Sequence, residues 1–170
     1  DELTDYMNIA QRLLILRIWS AKLFEFIGLI ESASKKKNLP EVARTCLEES
    51  ILEMGELKLH GGYYVARNLR HEATSHYSDA AAAKNFEFAS PKDNYSFYLH
   101  EMEGNGYFAL GDTVMIAGRL NRQGKNVHDL GEQVKLYEDW YDWNLSAQKW
   151  LKSTHLSIMK SLVLERFSGR

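Results

Sequence analysis

The sequence predicts an all-α protein, a compact bundle of four to six helices of which several are long and amphipathic. Pro40 and Pro91 are the only prolines in 170 residues, and no window shows the strict polar–apolar alternation of a half-buried strand. Apolar residues recur instead at the three-, four- and seven-residue steps of a helix. With 45% hydrophobic and 26% charged residues, the composition is that of a globular protein. We therefore predict that residues 1–170 form a single helical domain.

The first predicted helix runs from about Asp5 to Ser34. Three lysines at positions 35–37 suit its C-terminal end, and Pro40 suits the first turn of the helix that follows. The apolar side chains predicted to face the core are Leu13, Leu16, Leu23, Ile27 and Ile30. The charged side chains left for water are Arg12, Arg17, Lys22 and Glu31.

The second predicted helix begins at Glu41 and has an acidic polar side. Its predicted core residues are Ala43, Leu47, Ile51, Met54 and Leu57, and its polar faces carry Glu48, Glu49, Glu53 and Glu56. The glycine pair after His60 is expected to kink or interrupt the helix, because two helical glycines cost about 2 kcal/mol relative to alanine. A continuation is then predicted over Tyr63 to His76.

Two shorter helices and one at the middle of the chain follow. Ser78 and Asp79 can cap a helix over Ala80 to Asn85. Tyr95 to Glu103 looks helical and stops at a Gly-Asn-Gly sequence, and Asp112 can cap a helix that extends to about Arg122.

The last predicted helix spans roughly Asp129 to Phe167 and is long enough to cross the whole bundle. Its predicted core-facing residues are Leu130, Val134, Tyr137, Tyr141, Leu145, Trp150, Ile158 and Leu162. The aromatic group of Trp140, Tyr141, Trp143 and Trp150 is expected to form core and dimer contacts rather than a base-stacking surface, because no basic groove accompanies it.

Charge and cysteine content restrict the function. The net charge of −2 lacks the broad positive field of non-specific nucleic-acid binders, so any nucleic-acid site must be local. The single Cys46 excludes an internal disulfide and fits a reducing, cytoplasmic compartment, and its apolar neighbours predict a buried thiol. The longest apolar run is interrupted by Arg17, so no membrane association is expected.

Metal and common enzyme motifs are missing from the sequence. Glu49, Glu53, Glu56 and His60 lie at helical steps, but di-iron bundles use a Glu-x-x-His step that this sequence nowhere contains. A solvated acidic face is the preferred interpretation, and no metal or other cofactor is expected. Neither glycine-rich phosphate loop is present, nor are the Gly-x-Ser-x-Gly and His-Glu-x-x-His motifs.

One cluster at the end of the second helical stretch carries the chemistry of a functional site. Arg67 and Arg70 are followed by His71, His76 and Tyr77. This stretch resembles the signature of the HEPN superfamily of helical ribonucleases, which has an arginine, a polar residue and then a histidine four to six residues after the arginine. Several members of the family place a tyrosine two residues after that histidine, whereas here Tyr77 follows it directly.

The resemblance implies a metal-independent endoribonuclease of toxin–antitoxin or phage-defence type. His76 would shuttle the proton of the RNA 2′-hydroxyl, because an imidazole titrates near neutral pH. Arg70 would stabilise the charge that builds on the phosphate. His71 would belong to the same catalytic group, and Arg67 and Tyr77 would contact the RNA. The resemblance also implies a homodimer and an antitoxin protein as partners.

Two alternatives remain open from the residues. The cations of the cluster also suit a helix C-terminus, where each stabilises the helix dipole by about 0.3–1 kcal/mol. The chain as a whole is alternatively a non-enzymatic interaction module that assembles through its aromatic last helix. A second match, from Arg122 to His128, lacks the polar residue after the arginine and lies in a Gly-Lys-Asn turn, so it is assigned to chance.

Overall fold

A computed structural model describes residues 2–69, 79–88, 97–99 and 106–164. Within them the protein is all-α, as predicted, with one short pair of strands. The helices are α1 (Glu2–Ser34), α2 (Glu41–Leu59), α3 (Gly61–Leu69), α4 (Asp79–Phe86), α5 (Ala109–Arg122) and α6 (Leu130–Met159). A π-helical segment (Lys160–Leu164) continues α6, and the strands are β1 (Phe97–Leu99) and β2 (Gly106–Phe108).

The chain divides into two compact units. One comprises residues 19–67 and 139–170, and we call it the tryptophan unit. The other comprises residues 1–18 and 68–138, and we call it the strand unit. The boundaries fall inside α1, α3 and α6. The single domain expected from chain length stays a prediction.

Two tryptophans of α6 fix its alignment with α2 in the tryptophan unit. The indole Nε1 of Trp143 donates to the Leu57 carbonyl oxygen at 3.2 Å, and that of Trp150 donates to the Ser50 carbonyl oxygen at 3.0 Å. Both spacings are seven residues, or two helical turns, and they run in opposite directions along the chain. The two helices are therefore antiparallel in a defined register, and each buried indole has the acceptor it needs.

Polar side chains are buried beside these tryptophans, and each has a hydrogen-bond partner. Asn144 donates from Nδ2 to Ser20 Oγ at 3.1 Å, and Trp140 Nε1 donates to the same hydroxyl at 2.9 Å. Ser50 Oγ and Thr154 Oγ1 share a hydrogen bond of 2.8 Å. Buried polar groups cost little free energy only when they are paired in this way, so these contacts favour one packing arrangement of α1, α2 and α6.

Cys46 is buried, as its apolar neighbours predict. Its Sγ lies 3.3 Å from the hydroxyls of Ser157 and Ser161, which are one turn apart near the end of α6 and in the π-helical segment. The thiol therefore belongs to the packing between α2 and the end of α6.

The strand unit contains a close contact between α4 and α5. A Cβ atom at Gly118 would lie 2.3 Å from Cγ of Asn85, whose side chain is buried. The strands pair antiparallel, with Phe97 opposite Phe108. Lys125 and Glu132 form an ion pair between the end of α5 and the start of α6.

One predicted element in this unit is wrong. The helix expected from Tyr95 to Glu103 is contradicted at residues 97–99, which form β1 and pair with β2. The aromatic Phe-Tyr-Leu sequence has high strand propensity, which outweighs helical periodicity over so short a segment. The helix expected from Asp112 to about Arg122 is confirmed as α5, which begins three residues earlier, at Ala109. The short helix expected over residues 80–85 is confirmed as α4.

The core-facing residues of the first two helices are mostly confirmed. The buried residues are Leu13, Leu23, Ile27 and Ile30 of α1 and Ala43, Leu47, Met54 and Leu57 of α2, with Leu16 and Ile51 half-buried. Among the charged side chains expected in water, Arg12 and Lys22 are exposed, whereas Arg17 and Glu31 are half-buried. The interruption predicted at residues 60–62 is also confirmed, because α2 ends at Leu59 and α3 begins at Gly61.

The predicted core face of α6 is largely wrong. Four of its members are exposed, namely Leu130, Val134, Tyr141 and Leu145. Trp150 is buried as predicted, and the helix otherwise buries Leu136, Trp140, Trp143, Asn144, Ala147 and Thr154. The helix has apolar residues on two faces, and the face with the tryptophans is buried because their large rings remove more apolar area from water.

None of the described helices has both the length and the apolar composition of a membrane span.

Candidate functional site

The cluster predicted from the sequence falls mostly outside the described residues. Arg70, His71, His76 and Tyr77 lie in the range 70–78, for which no structure is described. Arg67 is described, and its side chain is exposed in the last turn of α3. The chain enters the cluster directly from Leu69, the last residue of α3, so the geometry of α3 is what the structure contributes to this site.

The start of α3 is set by His60. This residue has extended backbone angles, φ −66° and ψ 136°, and ends α2. Its amide donates to the Leu57 carbonyl oxygen at 3.3 Å, and its Nδ1 accepts a hydrogen bond from the Gly62 amide at 3.1 Å. The imidazole thus satisfies one of the amides that a helix N-terminus leaves unpaired. His60 is half-buried and acts as a helix cap.

Gly62 brings α3 against the backbone of α6. A Cβ atom at this position would lie 1.9 Å from the carbonyl oxygen of Asp139 and 2.7 Å from Cβ of Trp143. Only glycine fits at this distance, since real contacts of a Cβ atom are essentially never shorter than 3.0 Å. The glycine pair that interrupts the helix in the sequence therefore also makes close helix packing possible.

The buried face of α3 continues this contact. Val65 and Ala66 are buried, at 2% and 0% exposure, while Arg67 points to solvent one position later. The ring of Tyr63 lies 5.4 Å from that of Phe24 and 6.1 Å from that of Trp143, between centroids. The first two turns of α3 are therefore held by the core of the tryptophan unit, and the arginine side is left for solvent.

A second candidate site is an open groove between α2 and α6, with a volume of about 560 Å³. Its lining residues are Glu53, Glu56, Leu57 and His60 from α2 and Ser146, Lys149, Trp150 and Ser153 from α6. The acidic side chains were expected on a solvated face, and they are exposed. The opposing wall, with a lysine and two hydroxyls, was not predicted, although Lys149 and Lys152 lie one turn apart in the sequence.

No metal centre is formed by the residues for which a structure is described. Among them, no three His, Cys, Asp or Glu side chains are grouped so that they could hold an ion. In particular, His60 uses its Nδ1 as an acceptor for the Gly62 amide.

The second match to the arginine–histidine pattern lies at a structural turn. Gly124 has a φ of +69° after the end of α5, and the Asn126 side chain accepts a hydrogen bond from the His128 amide at 3.1 Å. Asp129 then caps the start of α6, because its Oδ1 accepts from the Glu132 amide at 3.1 Å. His128 is exposed. The residues between Arg122 and His128 form the connection from α5 to α6, which accounts for their glycine and asparagine content.

Comparisons with known proteins add no relative. No protein-family model matches the chain, and no significant match was found among curated proteins or solved structures.

Proposed function

We propose that the protein is a metal-independent endoribonuclease similar to those of the HEPN superfamily. The observation that carries the proposal is the spacing of Arg70 and His76 at the end of a helical stretch. It is supported by the anchoring of α3 through Gly62 and by the exposure of Arg67 just before the cluster. A helix that is packed against the core and lies just before the reacting residues in the chain is the kind of support that a catalytic constellation needs.

The proposed reaction uses the hydroxyl of the substrate as nucleophile. His76 accepts the proton of the 2′-hydroxyl while the 2′-oxygen forms a bond to the adjacent phosphorus, and the bond from phosphorus to the 5′-oxygen breaks. The same imidazole returns the proton to the departing 5′-oxygen. Arg70 donates to the non-bridging oxygens as negative charge accumulates on them, and His71 belongs to the same catalytic group. Arg67 and Tyr77 contact the RNA strand.

The test is cleavage of single-stranded RNA by the purified protein in the presence of EDTA. The proposed chemistry predicts products that end in a 2′,3′-cyclic phosphate and a 5′-hydroxyl, because the 2′-oxygen replaces the leaving group. Products that end in a 3′-hydroxyl and a 5′-phosphate would contradict the mechanism, since they indicate attack by water.

The biological setting follows from the same resemblance. We propose a cytoplasmic toxin, of toxin–antitoxin or phage-defence type, that acts as a homodimer and is held inactive by an antitoxin protein. Co-expression with the antitoxin should restore growth to cells that the chain alone arrests, and cells that grow normally with the chain alone would contradict a toxin.

A non-enzymatic interaction module is the second candidate, and one observation favours it. Tyr141, Leu145, Leu156 and Met159 leave a substantial apolar area of α6 exposed. Surface patches of this kind are typical of assembly sites. Assembly without any detectable RNA cleavage would support this candidate over the nuclease.

A further inference from the structure

The groove between α2 and α6 has walls of opposite charge. Glu53 and Glu56 line the α2 wall, and Lys149 lies on the α6 wall between the hydroxyls of Ser146 and Ser153. None of the ion pairs formed among the described residues uses these three charges. They are therefore available to a partner that presents both signs.

The register of the two helices brings the charges close to one level. Trp143 is level with Leu57 and Trp150 with Ser50, as their hydrogen bonds require. In this register Glu53 is level with Ala147, two residues before Lys149. The acidic and the basic side chain thus lie on opposite walls, with an offset of about 3 Å along the groove.

Exposed leucines lie on the same two helices as the charged walls. Leu52 and Leu59 are seven residues apart on one face of α2 and are 75% and 88% exposed. Leu145 and Leu156 are exposed on α6, one turn before and two turns after Lys149. An isolated chain leaves all four of these side chains in contact with water, which is the pattern of a surface that a partner covers.

We propose that this groove is the homodimer interface, closed by the same groove of a second copy. A two-fold axis parallel to the helices would place α2 of one copy over α6 of the other, antiparallel as within one chain. Because the rotation keeps the height along the axis, Glu53 would lie within about 3 Å in height of Lys149 of the second copy, a difference that the two side chains can span, and the contact would occur twice. Leu52 and Leu59, which are exposed on the same helix as the acidic wall, would lie at the edge of the contact.

A second copy fits this surface better than other partners do. A polyanion such as RNA would be attracted by Lys149 but repelled by Glu53 and Glu56. A cationic peptide would be attracted by the two glutamates but repelled by Lys149. A partner that carries both walls in reverse order pairs Glu53 and Lys149 of each copy with an opposite charge, and the two-fold rotation of the chain itself generates such a partner. The inference gives the surface for the homodimer proposed above and uses no residue of the cluster at positions 67–77.

The experiment measures assembly by sedimentation equilibrium in the absence of RNA. The wild-type chain should have twice the mass of 19.6 kDa at high micromolar concentration. Glu53→Lys and Lys149→Glu should each weaken the dimer on the order of 10- to 100-fold, because each puts two like-charge contacts into the interface. Lys36→Glu, which changes another exposed lysine away from the groove, should leave the dimer unchanged.

Mixing the two variants separates contacts between copies from contacts within one chain. A mixture of Glu53→Lys and Lys149→Glu chains should form a heterodimer with near wild-type affinity, because both facing pairs regain opposite signs. Charge pairing across the groove of a single chain would be restored only in the double variant and never by mixing. Failure of the mixture to associate, with both variants folded by circular dichroism, would therefore overturn the interface.

Two further outcomes would also overturn it. A wild-type monomer is one, and undiminished association of Leu52→Asp, which places a charge on the leucine face without touching the core, is the other. The same measurements separate this interface from the nuclease proposal. A dimer that does not cleave RNA supports the interface and refutes the nuclease. A monomeric chain that cleaves RNA supports the nuclease and refutes the interface.

Discussion

Replacement of Gly62 by alanine should destabilise the protein strongly, although alanine is the better helix former. The new Cβ would lie 1.9 Å from the Asp139 carbonyl oxygen and 2.6 Å from the carbonyl carbon, and both atoms belong to the backbone of α6. The new Cβ would also contact the side chain of Trp143, which is fully buried and has no space into which it can move. Relief of the clash requires α3 and α6 to separate by about 1 Å along their contact.

The magnitude follows from two opposing terms. A helical Gly→Ala change gains at most about 1 kcal/mol from lower backbone entropy in the unfolded chain. Overpacking of a close contact costs typically about 1–3 kcal/mol, and occasionally more where only backbone can move. With the cost at the upper end of that range and the gain subtracted, we expect a net loss of about 2 kcal/mol, which lowers the thermal midpoint by roughly 4–8 °C for a chain of this length.

Gly55 provides the matched control. It is also a helical glycine in the tryptophan unit, but a Cβ there would meet no atom within 4 Å. Gly55→Ala should therefore stabilise the protein by about 0.4–1 kcal/mol. Urea unfolding followed by circular dichroism measures both variants. If Gly62→Ala is as stable as the wild type, or if the two variants change stability in the same direction, the close packing of α3 on α6 is refuted.

Three further predictions concern packing and metal content. Asn144→Ala should cost about 1–3 kcal/mol in urea unfolding, because it removes hydrogen bonds to the buried Ser20 hydroxyl and to the Trp140 carbonyl oxygen; an unchanged midpoint would contradict it. Gly118→Ala should destabilise the strand unit through its clash with Asn85, and Asn85→Ala should relieve that clash, so additive losses in the double variant would contradict the contact. Elemental analysis should find no stoichiometric iron, manganese or zinc, and one or two metal ions per chain would require a new interpretation of the acidic face.

The sequence predicted the helices better than it predicted which side of α6 is buried. The lysines and Pro40 mark the end of α1 and the start of α2, and the glycine pair marks the end of α2. Most of the predicted core residues of both helices are buried, although other apolar residues of α1, such as Leu14, Ile15 and Ile18, are exposed. On α6 the period is satisfied by two faces, and the choice between them depends on acceptors such as the Leu57 carbonyl oxygen, which only the folded chain brings near Trp143. The burial of Asn144 and Thr154 was not predicted for the same reason. A polar side chain is buried where the fold supplies a hydrogen-bond partner, and the sequence alone does not show that partner.

The candidate sites differ in how far the sequence could predict them. The cluster at Arg70 is a local pattern, and a local pattern can be recognised without a structure. The groove between α2 and α6 combines residues nearly a hundred positions apart, so its basic wall could not be joined to its acidic wall before the register of the helices was known. For Gly62 the sequence predicted the break in the helix. It did not predict the close contact with Asp139, because that contact depends on tertiary packing.

The most direct test of the proposed function compares RNA cleavage by the wild type with cleavage by His76→Ala in EDTA. Loss of the proton shuttle should lower the rate roughly 10²–10⁴-fold, and the thermal midpoint should stay nearly unchanged. Arg70→Ala should do similar damage, and His128→Ala, at the exposed turn before α6, should retain full activity. Full activity of both His76→Ala and Arg70→Ala, or no cleavage by the wild type, would contradict the nuclease.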